Sequence, residues 1–484
     1  MSKLARPGPN QDRRPPIPHS QGLRRNSSRR FRAWAWLLGM ATLGCSSAPT
    51  TVRLEVYNWW DGAESIPFER VLTIHRSLHP NVEVVNQSKL VAGDARERVA
   101  DIMLAGAPPA TFQANIGADL LRWTAVDSAT GALGENRIYN LSSLFARSKD
   151  LQSVIPQEIM DALSVGTPPV PYAVPINIHR LNVLYYNTAK LAALSPPSGH
   201  QSWLEPSLLC PTDPTPTPLP FKIAIGSREE PFTITLLVFE NLLVAQAGAE
   251  FYERLFRGEM STVSGVADDW KEVVRTTLRC AQFLGQFIEE TDGWKDAVKA
   301  VVDETDAAAV TVMGDWAGGQ LASEPNYDGT TILSMPFPGT EADGTRKGVY
   351  VYTSDAFPLP VNAEHLSEAE TLLETIALPE AQKIFSKEKG SIPARSDAVD
   401  EVDAKRLQDF RDSAKALATS GLFPPYYDSE QLNEKLLAVL KTEWGSKDGP
   451  AKIEAVVEEL VSLQPVLLRW QDRLRRGPLD SPMP

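Results

Sequence analysis

The residues best able to do chemistry sit in a few short clusters rather than in one catalytic motif. Trp59 and Trp60 adjoin Asn58 and Asp61, and Glu64 follows three residues later. An indole offers a flat apolar face, and neighbouring carboxylate and amide groups exchange hydrogen bonds with hydroxyls. That pairing suits a ring presenting C–H faces and hydroxyls, as a sugar does. Gln113 and Asn115 share one face by alternation, and their amides can bridge vicinal hydroxyls. Asp315-Trp316 again sets an acid beside an indole. Lys389 lies in the loop-like stretch Lys389-Gly390-Ser391-Ile392-Pro393-Ala394-Arg395 and can donate to hydroxyls. Each cluster also has a plainer reading. Adjacent strand residues face opposite ways, so at least one of Trp59 and Trp60 is structural. Asp315 before Trp-Ala-Gly fits a helix N-cap, and Gln113 and Asn115 fit turn positions.

Nucleophile and metal chemistry find no support. The sequence contains no GxSxG and no CxxC, and its six His are scattered. No metal site and no cofactor are expected. Two carboxylates could in principle build a glycosidase centre. A retaining enzyme places them about 5–5.5 Å apart, and neither Glu64 nor Asp315 has an identifiable partner acid.

The elements that position these groups follow from periodicity. Val52, Leu54 and Val56 alternate with Arg53, Glu55 and Tyr57, which predicts a strand running into Asn58-Trp59-Trp60-Asp61-Gly62. A helix follows to about Leu78, with Phe68, Val71, Leu72 and Leu78 as its apolar stripe. His79-Pro80-Asn81 stops it, and 82–85 reads as a second strand, completing a βαβ unit. A helix over 94–104 leads to a short strand at 111–113. Both Trp59 and Trp60 therefore stand at the C-terminal end of the first strand, where ligands bind in open α/β sheets. Strands are also predicted at 172–175, 184–187, 222–225, 310–313, 349–352 and 357–360. Helices are predicted at 236–247, 268–288 and 291–302 and over most of the chain from 367. The stretch 195–220 holds eight prolines and reads as a surface loop or insertion without helix or central strand.

Length and charge narrow the class. The chain has 484 residues, which predicts two domains. Its net charge is −13, yet nine Lys/Arg against one acid fall in the first 44 residues. The remainder is strongly acidic, which disfavours nucleic acid as a partner. The basic N-terminal stretch precedes the apolar run 33–43 and then Gly44-Cys45-Ser46-Ser47, the order of a secretory signal. The run is too short to span a bilayer. Of the three cysteines, Cys210 and Cys280 remain, either joined as a disulfide in an oxidising compartment or left as two buried thiols.

Cys45 after Gly44 resembles a bacterial lipobox, in which Cys45 carries lipid and becomes the first residue; Thr42 departs from the usual Leu. More broadly, Leu54-Glu55-Val56-Tyr57-Asn58-Trp59-Trp60 and 103–113 (MLAGAPPATFQ) resemble extracellular solute-binding proteins of sugar ABC importers, in particular the glucose/mannose-binding branch. Asn177-Ile178-His179-Arg180, Phe239-Glu240-Asn241-Leu242-Leu243, Met313-Gly314-Asp315-Trp316 and 389–395 occur in the family's order.

The resemblance implies an α/β, bilobed periplasmic-binding-protein-like (type II) fold, its two domains joined by a three-segment hinge. The expected division is 1–44 signal peptide, 45–51 tether, 52–178 with 316–358 as one lobe, and 179–315 with 359–484 as the other, 195–220 being an insertion. It further implies sugar captured between the lobes and handed to ABC permease subunits by a monomer held outside the cytoplasm through the N-terminal lipid. Trp59, Trp60, Glu64, Gln113, Asn115, Asp315, Trp316 and Lys389 are the expected ligand-binding residues, with Trp59 lining or supporting the cleft. Two departures bear on specificity. Asn115 stands where the family often has His, and Pro231-Phe232-Thr233 stands where it commonly has a stacking Trp. A glycoside hydrolase, or a sensing lipoprotein that retains the binding fold, are the alternative readings.

Overall fold

The computed structural model describes residues 51–476, apart from 89–91, 125–135, 149–150, 197, 214, 228–238, 262–268, 340–347 and 423–428. The expected signal segment, Cys45 and Pro231-Phe232-Thr233 lie outside the described residues.

The first lobe begins with β1 (Val52–Tyr57), α1 (Ile66–Leu78), β2 (Val82–Gln87), α2 (Ala92–Leu104) and β3 (Thr111–Phe112). β1 is central and pairs in parallel with both β2 and β3, Val52 opposite Val82 and Val56 opposite Thr111. Leu54 and Val56 are buried, as alternation requires, while Arg53 stays exposed. On α1 the buried stripe is Phe68, Val71, Leu72 and His75, spaced i, i+3, i+4, i+7. Leu78, expected on that stripe, is the last residue of the helix and is 54% exposed.

Short strands then cross between lobes: β4 (Ala114–Asn115), β5 (Ala173–Pro175) and β6 (Asn177–Arg180). The second lobe follows with β7 (Val183–Asn187), β8 (Lys222–Ile225), α3 (Asn241–Phe256), α4 (Asp269–Gly285), β9 (Ile288–Glu290), α5 (Trp294–Val302), β10 (Ala308–Met313) and β11 (Ile332–Pro336). Its sheet is mixed, in the order β9-β8-β10-β7-β11; β11 falls within 316–358, which the sequence assigns to the first lobe, but it pairs with β7 of the second. β10 is buried at every position, as a central strand covered on both faces must be. The chain returns through β12 (Tyr350–Thr353) and β13 (Asp355–Pro358). β13 joins β4 and β5 in one small sheet, and β12 lies beside β6 in another.

Helices α6 (Leu366–Ile376) and α7 (Pro379–Lys389) come next. The sequence places this stretch with the second lobe, but both helices pack on α1. The reason is aromatic: Trp60 nests among Phe68, Phe357 and Phe385, with ring centroids 4.9–6.0 Å away. Strand β14 (Ile392–Pro393), α8 (Glu401–Asp412) and β15 (Lys415–Leu417) complete the connecting sheet, ordered β14-β6-β12-β15. Finally α9 (Ser429–Leu440) and α10 (Gly449–Arg476) pack on α4 of the second lobe.

The proline-rich stretch is more ordered than expected. It holds two helical turns, His200–Leu204 and Pro206–Leu209, and buries Leu204, Leu209 and Leu219. Pro206 opens its turn at a position where proline's missing N–H costs nothing. A disulfide joins Cys210 to Cys280 on α4, so the insertion is tied to the second lobe.

Two predictions concern stability. Reducing the Cys210–Cys280 bridge, or Cys280→Ser with Cys210→Ser, frees a loop of 70 residues. The chain-entropy relation puts the loss at about 4 kcal/mol, readable as a lower denaturation midpoint. His75 is buried, with Nδ1 2.8 Å from the Thr375 hydroxyl. Burial, helped by the neighbouring His79, lowers its pKa from 6.5 to about 4. The unfolded chain therefore takes up this proton first, and stability falls as pH drops from about 6.5 to about 4, by up to about 3 kcal/mol. His75→Gln should flatten the stability–pH profile in that window; an unchanged slope would assign it to other groups.

Candidate functional site

The C-terminal ends of β1, β3 and β10 turn toward the junction of the two lobes, and the polar residues they carry are wired together. Gln113 follows β3. Its carbonyl oxygen accepts from the Trp59 backbone N–H at 3.1 Å, and its amide donates to Asp355 Oδ1 at 2.7 Å. Asp355 opens β13; its other oxygen accepts from Asn177 at 2.8 Å and lies 3.4 Å from His179 Nε2. The opposite ring nitrogen of His179 meets Asp315, just after β10. Asp315 Oδ2 in turn accepts from the Arg180 backbone N–H and from the Arg406 guanidinium, both at 3.0 Å. One continuous chain of hydrogen bonds thus runs from the first strand of one lobe to the central strand of the other.

Electrostatics fix the charge states within it. Burial alone would disfavour the imidazolium of His179, but the carboxylates of Asp315 and Asp355 on either side raise its pKa to about 9. Burial likewise opposes ionisation of Asp355, yet His179, Gln113 and Lys389 hold its carboxyl below the usual range. A charged imidazolium between two carboxylates, with Arg406 on the far oxygen, leaves few lone pairs unsatisfied.

A second cluster lies beside it. Lys389, buried at the end of α7, pairs with Glu64. Lys295, at the start of α5 in the second lobe, pairs with Asp61 and lies 3.6 Å from Glu64. This second pairing crosses between the lobes. Gly390 permits a close approach nearby. Its φ is +85°, and a Cβ there would come within 2.9 Å of the Asp315 carbonyl.

The expected residues are distributed as follows. Trp60 is 1% exposed and enclosed by phenylalanines, so it is the structural member of the tryptophan pair. Trp59 is half-buried, with the Arg96 guanidinium 4.5 Å over its ring. Trp316 is half-buried and meets His179 edge-on at 5.1 Å. Glu64, Gln113, Asp315 and Lys389 all belong to the two clusters. Asn115 turns to Ser420 Oγ at 3.5 Å. The N-cap reading of Asp315 is not adopted: its side chain caps nothing, and its oxygens serve His179, Arg180 and Arg406. Asp315 is itself only 8% exposed.

Sequence reasoning missed His179, Asp355, Lys295 and Arg406 as parts of this site. His179 and Asp355 lie in short crossing strands that look like ordinary strand in sequence, and the two cations look like solvated helix residues. Glu240 was missed too. It is fully buried and accepts from the Thr419 backbone N–H at 2.9 Å, and burial raises its pKa to about 7. A depression of about 510 Å³ lined by Gly248, Glu250, Glu253, Val349 and Lys415 shares no residue with either cluster.

Comparison with known proteins places the chain in a family. The family model described as bacterial extracellular solute-binding protein matches residues 105–412. The chain is 28% identical over 397 residues to an uncharacterised ABC transporter extracellular-binding protein of Pyrococcus horikoshii, covering 75% of this chain and 79% of the relative. It is 24% identical over 440 residues to a probable sugar-binding periplasmic protein of Brucella suis, covering 89% and 96%. Among solved structures, a bacterial solute receptor with an exclusive preference for β-D-galactopyranose superposes with a TM-score of 0.65 at 14% identity, covering 86% of this chain and 100% of the receptor. These relatives are described as binding proteins and receptors, not as enzymes.

The network generates a prediction. Because the His179 pKa is raised from 6.5 to about 9, its contribution to stability is complete below about 6.5 and is lost as pH rises through about 9. Denaturation midpoints measured between these limits should fall in the natural protein and fall less in His179→Gln. Equal slopes would mean that the imidazole is not charged in the fold.

Proposed function

Because this chain belongs to the bacterial extracellular solute-binding proteins, we propose that it captures a sugar between its two lobes and delivers it to an ABC importer. The single observation that carries this reading is the convergence, at the strand ends of both lobes, of half-buried indoles and paired charges. Trp59 and Asp61–Glu64 come from the first lobe, and Trp316 and Lys295 from the second. Indole faces suit the C–H side of a pyranose, and carboxylate and ammonium groups suit its hydroxyls. The descriptions of the Brucella suis relative and of the galactopyranose receptor support the same ligand class. Within that class, the sequence resemblance points to the glucose/mannose-binding branch.

In this reading the lobes hinge about the crossing strands β4–β6 and β12–β13, with α6 and α7 moving with the first lobe because they pack on α1. The Lys295 pairing to Asp61 and Glu64 is the contact that opens and closes. An exposed ion pair contributes only about 0–1 kcal/mol, so it can yield to ligand hydroxyls at small cost. The Gln113–Asp355–His179–Asp315 chain stays fixed and keeps the two walls in register. Trp60 supports Trp59 from behind rather than touching ligand. The segment before Cys45 directs export, and lipid on Cys45 tethers the protein at the outer face of a membrane, as a monomer that docks on permease subunits.

Isothermal titration and thermal melting against a panel of monosaccharides and disaccharides test the proposal. Binding heat and a raised melting temperature with at least one sugar are expected, about 2.7 kcal/mol of stabilisation at a hundredfold excess over Kd. Trp316→Ala should weaken binding with little change in the unliganded melting temperature. Silence across the whole panel by both methods would remove the assignment, and hydrolysis products would replace it with the glycosidase reading.

A further inference from the structure

Trp294 opens α5 and stands on the same sheet edge as Asp315 and Trp316. β8 runs parallel to both β9 and β10, so the C-terminal ends of all three strands point the same way. Trp316 follows β10 at the centre of the sheet, and Trp294 follows β9 at its margin. Both indoles are half-buried and pack on one apolar cluster that includes Val298, Met313 and Leu321. Each is anchored on one side and accessible on the other.

Trp294 also borders the crevice between the lobes. The Lys295 ammonium lies 5.6 Å from its ring centroid, pairs with Asp61 and lies 3.6 Å from Glu64, both of the first lobe. An indole face that attracts a cation also attracts the polarised C–H groups of a sugar ring, because both answer to the negative charge above the ring. The ammonium is a replaceable occupant. The side chains of Lys295 and Asp61 are 35% and 51% exposed, and an ion pair that open is weak. Once parted, the two leave a donor and an acceptor for hydroxyls beside the ring.

Spacing sets the size of the ligand. β8 lies between β9 and β10, which puts the two strands about 10 Å apart. Stacked rings keep their centroids about 4.5–7 Å from each other. One pyranose on Trp316 therefore does not reach Trp294. Both indoles belong to the same wall, so they cannot clamp a single ring from opposite sides.

We propose that Trp294 forms a second sugar subsite beside Trp316, with Asp61 and Lys295 serving its hydroxyls, and that the ligand is an oligosaccharide of at least two units. The inference rests on the sugar-capture reading and narrows its ligand class.

Isothermal titration of the full chain with glucose, mannose and galactose, and with maltose, cellobiose, mannobiose, lactose, maltotriose and cellotriose, is the test. At least one oligosaccharide should bind about tenfold or more tightly than the monosaccharides it contains, a difference of one decade in Kd. Trp294→Leu keeps an apolar side chain on the cluster but removes the flat ring. It should abolish the oligosaccharide's advantage while leaving monosaccharide affinity within about twofold. Trp294→Phe, which keeps a smaller ring, should retain part of the advantage. Should Trp294→Leu fail to fold, Trp294→Phe and the natural protein still decide, because both affinities are compared in each. Monosaccharides binding as tightly as the oligosaccharides that contain them would overturn the proposal while leaving sugar capture intact. So would equal losses for both classes in Trp294→Leu, or an advantage that survives in it undiminished. Failure of every sugar to bind would remove the underlying reading as well.

Discussion

The structure depends on a buried imidazole held between two carboxylates. His179 comes from β6, Asp315 from the end of β10 and Asp355 from β13. Taking charges out of water is costly, and it is tolerated here because each charge meets an opposite one and the remaining oxygens accept from Asn177, Gln113, Arg180 and Arg406. Such an arrangement is unforgiving of displacement. A shift of the crossing strands against one another would leave a buried charge unpaired, so the network specifies the line along which the lobes meet more than it adds to net stability.

From that fixed point the two walls differ in character. The first is rigid because Trp60, Phe68, Phe357 and Phe385 form one aromatic cluster under it, drawn from β1's end, α1, β13 and α7. This cluster is why the chain, after crossing to the second lobe, returns to cover α1. The second wall is carried by a sheet whose central strands β7 and β10 are buried at every position, and it is reinforced by the disulfide from the proline-rich insertion to α4. Between the walls only the Lys295 pairing and the rim indoles are placed to rearrange. Among the described residues, Asp61, Glu64, Asp315 and Asp355 are each matched with a cation.

The aromatic pair shows how far pattern reasoning carries. Alternation states that Trp59 and Trp60 cannot face the same way, which is a property of extended backbone. It cannot state which side is core, because that depends on what covers the sheet. The cover is supplied by Phe357 and Phe385, roughly 300 residues later in the chain. The same holds for Asp315. Its position after a mostly apolar strand is local information, while its partners His179 and Arg406 are not.

The sequence by itself determined the βαβ start, the central strands and most helix positions, since those follow from period-2 and period-3.6 apolar spacing over short windows. It also marked the strand ends followed by Glu64, Gln113 and Asp315 and the Gly- and Pro-containing stretch that opens at Lys389, because turn residues and polar groups announce where regular elements stop. Only the tertiary structure decided that Gln113 and Asp315 are joined through Asp355 and His179, that Glu64 meets Lys389, that α6 and α7 belong beside α1, and that Cys210 meets Cys280. Each of those facts joins residues 70 to 325 positions apart. Pairing at such separations is set by packing of whole elements and by the demand that every buried charge find a partner, and neither leaves a periodic trace in the chain.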